Sequence, residues 1–105
     1  MKIIKCLSES IEQELEDAEE YAKLAIKYKE DYPAAAATFY KLSSSRMDGI
    51  SDLHNEVTAL IKDYRSKEGE PPAPMMAIYN YMHEREMNKA VAVKKLQEMY
   101  KTGTI

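Results

Sequence analysis

The sequence predicts an all-α chain of three helices, the first two joined as a long antiparallel hairpin, and three observations carry that expectation. In composition, 45% of the 105 residues are apolar and 31% charged, with only 3 Gly and no Trp, which suits amphipathic helices better than a sheet or a disordered chain. In periodicity, apolar residues recur at steps of three and four, the spacing of a helix face packed on another helix. In punctuation, only two stretches interrupt that period, "EDYPAAAATFY" and "SKEGEPPAP".

The first helix is expected from about residue 8 to about residue 30, with Ser8 or Ser10 as its cap and acids after it that suit the positive end of the helix dipole. Its seam reads Ile4, Leu7, Ile11, Glu14, Ala18, Tyr21, Ala25 and Tyr28. Pro33 suits the first turn of a new helix, where its missing N–H would be unpaired anyway. The second helix then runs from about residue 34 to about residue 66 through Phe39, Ser43, Arg46, Ile50, Leu53, Val57, Leu60 and Tyr64. Because the connection is short, these two helices are antiparallel neighbours.

Gly69 can take a left-handed cap, and Pro71, Pro72 and Pro74 stop the helix, so residues 67–74 form a Pro-rich linker. The third helix is expected from about residue 74 to about residue 101, presenting Met75, Tyr79, Met82, Glu86, Val93, Leu96 and Tyr100, with a frayed "KTGTI" tail. All 105 residues form one helical domain. A core of this size is modest, so oligomerisation is an expectation from length, and the charges in the helix seams described below extend it to a homodimer.

Charge and cysteine usage narrow the functions. The net charge of -3 lacks the concentrated basic surface that nucleic acid requires. No apolar run approaches the roughly 20 residues of a membrane span, and the opening "MKIIKCLSESIEQELEDAEE" turns acidic too early for a secretory signal. Cys6 is the only cysteine, which excludes an intrachain disulfide and fits a cytoplasmic location. It lacks an activated context for a nucleophile, and neither a Gly-rich phosphate loop nor a Ser/His/Asp order appears. The seven acids from Glu9 to Glu20 read as a solvated face, and the Met and Tyr residues of the seams as core filling.

Each seam nevertheless holds one charge: Glu14, Arg46 and Glu86. A buried carboxylate is costly without a counter-ion, so Glu14 asks for a partner. With the hairpin turning near Tyr32, residue 14 lies level with about residue 50, and Arg46 is one turn, roughly 5 Å, from that level. A structural Glu14–Arg46 ion pair that fixes register is the preferred reading. Escape of both side chains along the helix edge is the alternative. On the third helix His83 and Glu86 stand at i and i+3, the spacing at which a His/Glu pair approaches a metal, which makes Glu14, His83 and Glu86 a candidate metal set. His54 is a weaker candidate, since Asp52 and Glu56 do not share its side of the helix.

"ELEDAEEY" places Tyr21 seven residues after Glu14, and "FYKLSSSRMDG" follows one hairpin later. In this respect the first two helices resemble the ferritin-like superfamily, which includes ferritins and rubrerythrins. There the first helix carries a metal-binding Glu with a Tyr seven residues on, and the second carries E-E-x-x-H in a context like F-Y-x-L-S-x-E-E-M-x-H. Phe39, Tyr40, Leu42, Ser43 and Met47 keep that context, but Ser45, Arg46 and Gly49 occupy the ligand positions. The resemblance therefore implies a ferritin-like hairpin with a degenerate site, Arg46 standing for the bridging Glu and Gly49 for the His. Three functions follow as expectations: a non-catalytic assembly protein with no expected cofactor, an iron-binding or oxidase-like protein using a rearranged carboxylate/histidine site for iron or another divalent metal, and an adaptor docking a protein partner through the third helix.

Overall fold

Apolar periodicity begins at the very start of the chain, and so does the first helix, α1, which spans Lys2–Tyr28. The structure is a computed structural model that describes Lys2 to Gly103. α1 starts well before the expected residue 8, and neither serine caps it. Ser8 is buried inside the helix, and Ser10 donates its hydroxyl proton to the Cys6 carbonyl at 3.0 Å, the back-bond of a mid-helix serine. Ile4 and Leu7 extend the helix because they pack against the cluster of Ile11, Leu15, Val57 and Ile61.

α2 spans Pro33–Glu68 and opens with proline in its first turn, as the sequence indicates. The chain reverses over residues 29–32, where the Tyr32 N–H bonds the Tyr28 carbonyl and the Ala36 N–H the Tyr32 carbonyl, both at 2.9 Å. Gly69 ends α2 at φ 82, ψ -162, donating its N–H to the Arg65 carbonyl. That positive φ favours glycine, yet the ψ is extended rather than left-handed helical. The break is shorter than residues 67–74, because Pro72 already caps α3, Ala73–Thr102, and its carbonyl accepts from Met75 and Met76. Lys101 and Thr102 complete α3 instead of fraying, closed by Gly103 in the left-handed conformation at φ 71, ψ 12. The rest of the expected fray, Thr104 and Ile105, lies outside the described residues.

The architecture is all-α, with three helices and no strand among the described residues. α1 is the middle member: it packs on both α2 and α3, which touch each other only sparingly. α1 therefore needs a broader buried stripe than one seam supplies, and Leu15 and Ala22 join Ile11, Ala18 and Ala25 inside. α2 runs antiparallel to α1, with Ser43 opposite Ala18 and Arg46 opposite Glu14. α3 runs parallel to α1, since Glu12, Glu19 and Lys29 meet Arg85, Lys89 and Tyr100 in rising order. The result is a rod of 56 × 19 × 18 Å.

Small residues set the helix separation near the hairpin turn, where Ala18, Ala22, Ala25, Ala36 and Ser43 are all fully buried. Ser43 ties the three helices together: its hydroxyl donates to the Ala18 carbonyl at 2.7 Å and accepts from the Gln97 amide at 2.9 Å. A buried hydroxyl without such partners would cost roughly 1–3 kcal/mol. Ring contacts add further ties, Tyr21 with Phe39 across the hairpin and Tyr40 with Tyr100 across α2 and α3. None of the helices is long and apolar enough to cross a membrane, among the described residues.

Candidate functional site

The α1–α2 register brings three chosen positions together. Ser43 bonds the Ala18 carbonyl, so one turn further along α2 Arg46 meets Glu14, the position about one turn back along α1. Arg46 Nη1 donates to Glu14 Oε1 at 3.2 Å, with the two side chains 40% and 24% exposed. Gly49, the next turn of α2, lies against the same carboxylate, and a Cβ added there would sit 3.4 Å from Glu14 Oε2. Glu14 raises the Arg46 pKa above its ordinary value, and a hydrogen bond to Tyr21 adds to this against the opposing effect of burial. Arg46 thus meets both Glu14 and Tyr21, the residues of the α1 pattern.

The α1–α3 seam handles its carboxylate differently. Glu86 is 7% exposed, and its Oε1 has no hydrogen-bond partner among the described residues. Burial raises its pKa to about 7, the charge of Glu12 adds to the rise, and Arg85 acts against it. Arg85 stands 4.0 Å from Glu12 and Lys89 stands 3.6 Å from Glu19, so the nearby cations are held by α1 acids. Glu86, Glu12, Arg85 and Lys89 line an open cavity of about 410 Å³ together with Leu15, Glu16 and Asn88.

His83 belongs to neither carboxylate. Its ring stacks on His54 of α2 at 4.9 Å between centroids and on Tyr79 at 5.8 Å. The members of the candidate metal set, Glu14, His83 and Glu86, thus have different neighbours. Glu14 is committed to Arg46 on α2, His83 lies against His54, and Glu86 lies beside Glu12 and Arg85, and among the described residues no three His, Cys, Asp or Glu side chains gather to hold an ion. Spacing of i and i+3 put His83 and Glu86 near one another on α3 but could not specify how α3 is rotated against its neighbours.

Sequence reasoning missed two features of this region. His54 ranks as a weaker candidate because Asp52 and Glu56 do not share its side of the helix, although its aromatic ring is what pairs it with His83. Glu12 was absorbed into the acidic run, although its place two residues before Glu14 turns it toward a different neighbour, and that signal was readable. A second cavity, about 430 Å³, opens at the start of α1 among Ile4, Ile61, Met76, Ile78, Tyr79 and Met82 and is lined mainly by apolar groups. Cys6 is exposed, and the acids of α1 reach cations at several points, among them Lys5 to Glu9 and Lys23 to Glu19. Comparison of the chain with protein-family models, with curated proteins and with solved structures finds no match.

Proposed function

We propose that this chain is a non-catalytic helical assembly protein, a ferritin-like hairpin with a degenerate metal seat that works as a cytoplasmic homodimer. One observation carries the reading: the two α2 residues facing Glu14, Arg46 at 3.2 Å and Gly49 against its other oxygen, stand where the ferritin-like pattern has Glu and His. A guanidinium supplies the positive charge that a carboxylate in a seam needs, but it has only donors and cannot ligate a metal ion. Gly49 offers no side chain at all.

Association is supported by what remains uncovered. Because α2 and α3 touch each other only sparingly, apolar groups stay outside, including Ile3 at the start of α1 and Ile78 beside the apolar cavity. A second copy laid on this end would bury them and bring the bundle toward the helix count of a complete ferritin-like domain. Sedimentation equilibrium at micromolar concentration should return twice the chain mass; a monomer would overturn the assembly reading. Elemental analysis of the same sample separates the oxidase-like alternative, which requires stoichiometric iron that is lost in Glu14→Gln.

A second reading, an adaptor that docks another protein through α3, draws support from the exposed Tyr81, Met87 and Val91 on that helix. It expects a partner captured from native lysate and released by Tyr81→Ser with Val91→Ser, at unchanged helical content.

A further inference from the structure

α3 is held from one side, since it packs chiefly on α1 and touches α2 only sparingly. On the side turned away from its buried Glu86 and Val93, a stripe runs along the helix at alternating steps of four and three residues: Asn80, Glu84, Met87, Val91, Lys94 and Glu98. That spacing is the seam by which one helix lies along another. All six side chains are exposed, Met87 at 50% and Val91 at 52%. Among the described residues neither Glu84 nor Lys94 has an ion-pair partner in its own chain. The rod as a whole exposes 7041 Å², where a compact monomer of this mass exposes roughly 6,000 Å². The difference, roughly 1,000 Å², covers the ~800 Å² that each partner gives to a standard interface.

We propose that two copies of the chain associate through this stripe, α3 lying antiparallel on the partner's α3 about a two-fold axis midway between Met87 and Val91. A two-fold contact is self-complementary, so each facing pair occurs twice. Running the stripe backwards against itself sets Met87 opposite the partner's Val91 at the centre, Glu84 opposite the partner's Lys94 on either side, and Asn80 opposite the partner's Glu98 at the ends. Apolar meets apolar, carboxylate meets ammonium, and an amide donor meets a carboxylate acceptor. A parallel pairing would set Glu84 and Lys94 each against its own copy, with like charges together. Because the stripe complements itself, it fits a second copy better than an unrelated protein. The inference rests on the homodimer reading and gives it a surface, with the contact along α3 instead of at the end that carries Ile3 and Ile78.

Sedimentation equilibrium of the full chain at low salt tests the pairing. The parent is expected as a dimer, its dissociation constant raised about tenfold by Glu84→Lys and again by Lys94→Glu alone, since each change sets like charges together at two places. Glu84→Lys combined with Lys94→Glu should restore the parent value. So should an equimolar mixture of the two single variants, in which every facing pair is again opposite in sign. Both sites are exposed on a helix, so folding should be kept, which circular dichroism verifies. Single variants that dimerise as tightly as the parent, or a double variant that fails to recover, would overturn the α3 contact and leave the homodimer reading standing. A dimer lost in Ile78→Glu but kept in both charge variants would overturn it in favour of the Ile3 and Ile78 end. A monomeric parent would overturn both the contact and the homodimer.

Discussion

Glu14 and Glu86 are both carboxylates in helix seams, and the two sides of α1 accommodate them by opposite means. On the α2 side Glu14 is partly exposed and meets Arg46 at 3.2 Å. On the α3 side Glu86 is buried more deeply, has an oxygen with no hydrogen-bond partner among the described residues, and holds its proton up to about pH 7. The first seam keeps a charge by supplying its opposite, and the second tolerates a carboxyl by making it neutral. The grip of α3 on α1 therefore includes a carboxyl that titrates near neutral pH.

The largest effect belongs to the side chain that both seams share. Leu15 is 2% exposed in the central cluster and also walls the Glu86 cavity. Leu15→Ala should cost roughly 2–5 kcal/mol in urea denaturation, at acid and neutral pH alike. A loss below about 1 kcal/mol would mean that the seams are held independently and that the comparison has no common core.

Glu86→Gln comes next and separates the seams. Its folded-state pKa is raised, so below about pH 4.5 both folded and unfolded chains hold the proton and no penalty arises. As pH climbs toward 7 the unfolded chain ionises first, and the stability associated with the neutral Glu86 is lost through that window. Gln, always neutral, should therefore stabilise the protein by roughly 1–3 kcal/mol at pH 8 and by almost nothing at pH 4. Equal stability of the two proteins at every pH would show that Glu86 reaches water.

Smaller still is the expected effect of opening the Glu14 pair, because both partners keep contact with solvent and such pairs are screened. Arg46→Ala should lower the melting temperature by less than Leu15→Ala does, with the deficit shrinking in high salt. Glu14→Leu combined with Arg46→Leu should recover most of it, the non-additivity measuring the coupling. Strict additivity of the single changes would mean that the ion pair contributes nothing.

What the sequence disclosed follows the range of the interactions. Pro33 and Gly69 mark their breaks through their own backbone chemistry, and the level of Arg46 with Glu14 follows from a fixed rise per residue across a short turn. α3 was legible as a helix but not in its rotation, because the linker fixes where it starts and says little about which face meets α1. That is why the separate neighbours of Glu14, His83 and Glu86 were not legible, and why the His54 and His83 rings meet unannounced. Ser8 and Ser10 misled for a local reason: a serine that can cap a helix can also bond back inside one, and only the packing of Ile4 and Leu7 decides between them.

We propose that Arg46 supplies the charge that a metal ion would supply beside Glu14, and the direct test is to introduce the ferritin-like pattern. Arg46→Glu with Gly49→His replaces the guanidinium and adds an imidazole from a Cβ that would sit 3.4 Å from Glu14 Oε2, an ordinary contact distance. Titration with Fe²⁺ and Zn²⁺, read by calorimetry and elemental analysis after dialysis, should show stoichiometric uptake by the double variant and none by the parent protein. A well-folded double variant that takes up neither ion, or a parent protein that takes up either one through Glu14, would contradict the account.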